Sequence, residues 1–133
     1  MDRAIEEAFV NNFVTKEKRE RILYELASAK KRKAALWRLY EALDRRLAVF
    51  EKRDAHEDEL IAEVEKYSKD NGTCYVIANS KDDGKTLPLG EAVKNMLEYE
   101  SNCVIVCGEN TILASDEYEI CGTPAKMILH KSK

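Results

Sequence analysis

The chain has 133 residues, of which 44% are hydrophobic and 35% charged, and its net charge is −3. That length supports one domain, and the apolar content excludes a disordered chain. The longest apolar run is far short of the roughly 20 residues of a membrane span, and the acidic, amphipathic start Met1–Glu7 lacks a secretory signal. A cytoplasmic protein with no membrane partner and reduced thiols is therefore expected.

Ile5, Phe9 and Phe13 recur every four residues and predict a first short helix with an aromatic stripe. Thr15 is placed to cap the next one, with Glu17 in its first turn. Ile22, Leu26, Ala29, Leu36, Tyr40, Leu43, Leu47 and Phe50 stay within one helical arc. A single helix of that length would reach about 52 Å, more than a domain of this size holds. A break is expected inside Ser28–Lys33, where Lys30-Lys31-Arg32-Lys33 leaves no apolar face. Asp54 and Glu57 have capping-box spacing before a helix with Leu60, Ile61, Val64 and Tyr67 on its buried side.

From residue 71 the character changes. All five glycines, both prolines and all four cysteines follow, and charged residues fall from 32 in the first 70 positions to 15 in the last 63. Thr73–Asn79 reads as a strand, Ser80–Lys85 as a loop, and Pro88 opens a helix with Ala92, Val93, Met96 and Leu97 on one face. Cys103–Cys107, Thr111–Ala114 and Lys126–His130 are further strands, joined by turns at Gly108–Asn110 and Gly122–Pro124. The expected fold is α+β: an N-terminal layer of three to four helices (1–70) on a small, mainly antiparallel sheet (71–133) with one crossover helix. Leu60, Ile61 and Val64 would cover the sheet residues Val76, Val104, Val106, Ile112 and Ile128.

Charge is uneven. Residues 16–46 hold eleven cations against five acids, and residues 51–65 hold seven acids against two cations. Packed together, the two blocks would neutralise one another. The four-cation run points in four directions around a helix and forms a collar, so a nucleic-acid surface is not expected.

No motif specifies a reaction. Cys103 and Cys107 bracket an extended segment, which puts them about 13 Å apart and excludes a shared zinc. The cysteines, Cys74 and Cys121 included, read as core residues without metal, and no cofactor is expected. Asp82-Asp83-Gly84-Lys85 lacks the ligand spacing of a calcium loop and the glycines of a phosphate loop, and reads as a turn. The aromatics Trp37, Tyr40, Phe50, Phe9, Phe13, Tyr24 and Tyr67 are expected to be largely core, with part of them on a protein-contact face.

Cys74-Tyr75-Val76-Ile77, Asp83-Gly84-Lys85, Leu89 and Ala92, after Lys/Arg-rich helices, together resemble a group of small bacterial proteins. That resemblance implies a bacterial cytoplasmic origin and brings no activity. The expected function is a non-enzymatic protein-binding module, most concretely an immunity-type protein that neutralises a basic toxin domain, either alone or as a homodimer. Its contact residues would be Glu57, Asp58, Glu59, Asp116, Glu117 and Glu119, the last three in a polar loop. The alternatives are a small enzyme or nucleotide-binding protein using Asp82, Asp83, Lys85 and His130, and a nucleic-acid binder using the basic helices.

Overall fold

The computed structural model describes residues 1–68, 72–99, 102–120 and 123–132, and the side chains of residues 99, 117–120 and 123–124 lie outside the description. Among the described residues are α1 (Arg3–Phe13), α2 (Arg19–Ala27), α3 (Arg32–Ala42), α4 (Glu57–Tyr67) and α5 (Leu89–Tyr99). The strands are β1 (Ala48–Lys52), β2 (Thr73–Ala78), β3 (Thr86–Pro88), β4 (Cys103–Val106), β5 (Thr111–Ile120) and β6 (Thr123–His130). They form one antiparallel sheet in the order β1-β6-β5-β4-β2-β3, and the fold is α+β.

The helices cover both faces of this sheet. Phe9, Phe13, Leu26, Leu36 and Leu39 of α1–α3 pack with Tyr75, Ile77, Val104, Val106, Ile112, Met127 and Leu129. Leu60 and Val64 of α4, with Val93 and Met96 of α5, pack with Cys74, Val76, Ile105, Leu113 and Ile128. Strand residues alternate in direction, so each central strand serves both layers and reads as a continuous apolar run. Leu60 and Val64 therefore cover Val76 and Ile128, as expected, whereas Val104, Val106 and Ile112 face α1–α3 instead.

The chain does break where the cations crowd: α2 ends at Ala27, and Ser28 Oγ accepts from Lys31 N at 3.3 Å before α3 begins. Beyond Ala42, Leu43 turns extended and bridges Val14, and Asp44 caps a short 3₁₀ turn (Arg45–Leu47). Val49 and Phe50 then belong to β1, not to a helix, because pairing with β6 supplies the backbone partners that a helix would supply locally. The N-cap of α4 is His56, not Asp54, and makes no side-chain cap bond. Glu57, Asp58 and Glu59 instead complement the helix dipole from the first turn. Thr15 precedes a 3₁₀ turn (Lys16–Lys18) without a side-chain cap, its N–H donating to Ala42 O at 2.9 Å.

β3 had no counterpart in the pattern, being three residues long. β5 runs on through Asp116–Ile120, and Glu119 and Ile120 pair with Pro124 and Thr123 of β6. The acidic segment is thus strand and not loop. The turn expected at Gly122 lies outside the described residues.

Candidate functional site

Arg32, the first residue of α3, is 8% exposed and stands between two carboxylates. Its Nη1 and Nη2 each donate to Glu6 at 2.7 Å, while Nε and Nη2 donate to Asp83 at 2.7 and 2.8 Å. Nη1 also donates to Leu26 O at 3.0 Å. A guanidinium has five N–H donors, and all five are used here. Burial alone would lower the arginine pKa, but the bonds to Asp83 and Glu6 outweigh it and hold the charge more firmly than usual. Arg32 therefore has no donor left for an incoming phosphate or carboxylate; it is a fastening.

The fastening extends to the sheet. Tyr75 of β2 donates its hydroxyl to Glu6 Oε2 at 2.6 Å and accepts from Asp2 N at 2.9 Å. Burial, then the Glu6 bond, push the Tyr75 hydroxyl up to about 12. Asp83 Oδ1 accepts from Ala78 N at 3.1 Å, so the loop after β2 is held to both the strand and α3. Gly84 in that loop has φ +81°, and a side chain there would collide with Met1, whose sulfur lies beside it.

A groove bordered by Glu6 and Arg32 of this network opens between α1 and α2. The groove between them measures about 990 Å³ and is lined chiefly by Met1, Leu23, Tyr24, Leu26, Ala27 and Ala29, with Arg3, Glu6, Glu7 and Arg32 as its polar groups. Tyr24 is 61% exposed at the lip, with Lys31 Nζ 5.0 Å from its ring centre. Trp37 on α3 is 50% exposed, so these two aromatics are surface residues and not core. Lys30 and Lys33, which flank Lys31-Arg32, are exposed and make no ion pair among the described residues.

The acidic candidates lie elsewhere. Glu57, Asp58 and Glu59 start α4 on the opposite face of the sheet from α2 and α3. The cations of α2 and α3 and the acids of α4 thus lie on opposite faces of the sheet; among the described residues the two blocks meet at Arg45–Glu51, 3.7 Å apart, while Lys52–Glu59 at 3.1 Å pairs within the acidic block. Lys52 stands opposite Lys126, which stands opposite Ser115, so Asp116 emerges at the same end of the sheet as the α4 start. The acidic residues of both segments are brought to one end, although Glu59 and Asp116 are already engaged there. The side chains of Glu117 and Glu119 lie outside the described residues.

Asp82, Asp83 and Lys85 share a turn. Asp82 accepts from Asn95 Nδ2 at 2.8 Å and lies 3.8 Å from Lys85 Nζ. His130 does not join them: its Nδ1 is 3.0 Å from Thr111 Oγ1, and its ring lies against Tyr67 at the other end of the sheet. That is about 13 Å along the strands and about 14 Å across them from the Asp83 loop. No metal-holding group of three or more His, Cys, Asp or Glu exists among the described residues. No described helix is long and apolar enough to cross a membrane.

Sequence reasoning missed both the groove and its fastening. The partners of Arg32 lie 26 and 51 positions away, so the only available signal was a single arginine in a run of lysines. Comparison with protein-family models, with curated proteins and with solved structures finds no match.

Proposed function

We propose that the chain is a protein-binding module whose α1–α2 groove takes an acidic, amphipathic segment of a partner. The observation that carries this reading is the conjunction of an open apolar groove with Lys31 beside its wall residue Tyr24, a lysine that makes no ion pair among the described residues. Its walls are Leu23, Leu26, Ala27 and Met1, the kind of surface that accepts the apolar face of a helix. Arg3 in the groove and Lys31 beside Tyr24, with the exposed Lys30 next to it in sequence, would meet acidic residues on the other face and speed association. Because Arg32 is saturated, affinity rests on apolar contact and rim charge.

A nitrogen-15 NMR titration with an acidic Leu/Glu amphipathic helical peptide tests this. Shifts are expected at Leu23, Tyr24, Ala27 and Ala29, and the double reversal Lys30→Glu/Lys31→Glu should weaken binding about tenfold, as should raised salt. The reading is overturned if the groove resonances stay fixed, or if an oligothymidine displaces the peptide.

A second reading keeps the immunity-type role, with a basic toxin domain as partner. It is supported by the meeting of the α4 start and Asp116 at one end of the sheet, where Glu57 and Asp58 carry no ion pair among the described residues. Under it, a basic Leu/Lys peptide would shift the Glu57 and Asp58 resonances instead, and the reversal Glu57→Lys/Asp58→Lys would abolish that response.

A further inference from the structure

We propose that Cys74 and Cys107 are an oxidation site, converted by a hydroperoxide into one intramolecular disulfide. The sulfurs are 3.1 Å apart, about 1 Å beyond bonding distance. Their strands explain why. Tyr75 pairs with Val106, so the next residues outward, Cys74 and Cys107, face one another. Val76 exchanges its backbone bonds with the β3 side, through Lys85 O at 2.9 Å and Gly84 N at 2.8 Å. Cys74, two residues earlier, turns its backbone the same way, and Cys107 N turns away from β2 to Thr111 O at 2.9 Å. The two cysteines thus form a non-hydrogen-bonded cross-strand pair, the closest type, with Cα atoms about 4.5 Å apart. That separation lies inside the disulfide range.

Access is the second observation. A cavity of about 240 Å³ between the end of α4 and the start of α5 is lined by both cysteines, with Val64, Ser68, Thr73 and Leu89. It has room for a peroxide. Cys103 is an internal control: it lies on the same face of the sheet, opposite Ala78, and borders a void of only about 10 Å³. It has neither a sulfur across from it nor space for an oxidant.

The chemistry balances. Both sulfurs line the cavity, so the opening attack can come from either, here Cys74. As a thiolate it takes one oxygen from the hydroperoxide ROOH, the O–O bond breaks, and the thiol proton leaves with the alcohol ROH. Cys107 sulfur then displaces the oxygen from the resulting sulfenic acid, and its own proton leaves with that oxygen as water. Two electrons pass from the sulfurs to the peroxide. The bond would cross-link β2 to β4 and enclose β3 and α5 in one covalent loop.

The test is peptide mapping of the full chain after native treatment with hydrogen peroxide, acid quench and alkylation in denaturant. The expected result is loss of two hydrogens, a Cys74–Cys107 cross-link, and Cys103 modified at least about tenfold more slowly. Cys74→Ser and Cys107→Ser should each abolish the link, and Cys103→Ser should keep it; the wild-type map decides even if a serine variant fails to fold. A link to Cys121 or between chains, sulfinic acid without a link, or cysteines that react only once the protein is denatured would each overturn the proposal. This site is independent of the groove, so either can fail alone.

Discussion

At the scale of single residues, Arg32 decides most. It joins α1, α3 and the loop after β2 through two carboxylates in a nearly dry setting, and both side-chain partners are less than one-fifth exposed. Removing one member of such a group leaves the others buried and unpaired, at about 3–5 kcal/mol. Arg32→Ala is therefore expected to lower the urea-unfolding free energy by about that much. Arg32→Lys should recover less than half of it, because an ammonium cannot hold two carboxylates in parallel forks. Two tyrosines give a pH signature. Burial pushes Tyr40 up to about 12, and its hydroxyl has no hydrogen-bond partner among the described residues; Tyr75 is pushed to the same value by burial and Glu6. Both folded-state values exceed the unfolded one, so the stability they contribute is fully present below pH of about 10 and is lost between about 10 and 12. The loss should run at about 1.4 kcal/mol per pH unit for each group. An alkaline titration followed by tyrosinate absorbance should show two late-ionising groups whose release coincides with loss of the fold.

At the scale of elements, β1 is the instructive one. Leu47 and Phe50 complete a helical arc begun at Ile22, and the same two residues suit a strand equally well. Pairing with β6 settles the choice, with Phe50 opposite Ile128 and packed on the α4–α5 core. Val49 falls at the register shift and is 40% exposed. Phe50→Ala should cost about 2 kcal/mol in a denaturant melt, and Val49→Ala less than about 0.5. A helical set of chemical shifts over residues 48–52 would contradict this assignment. The stop between α2 and α3 was legible, because four successive cations cannot share an apolar face. The true start of α4 was not: a capping-box pattern at Asp54 competes with the entry geometry that β1 imposes.

At the scale of the molecule, the sheet lies between two helical layers, with the cation-rich α2 and α3 on one face and the acid-rich α4 on the other. Each layer buries a different set of side chains from the same central strands. A fragment of residues 71–133 would lack α1–α4 and also β1, leaving one face bare and an edge of β6 unpaired. It should be molten or insoluble, with poorly dispersed amide resonances and no cooperative thermal transition. A sharp transition in that fragment would mean that the layers are not one folding unit. The sequence by itself determined the class of fold, most helices, the central strands and the burial of Cys74, Cys103 and Cys107, since these follow from local periodicity and turn chemistry within a few residues. Only the tertiary structure decided which helices cover which face, that Ala48–Lys52 is a strand, that His130 stands apart from Asp83, and that Arg32 is consumed by Glu6 and Asp83. Those outcomes depend on partners tens of residues away, and a local pattern carries no record of which distant group will complete it.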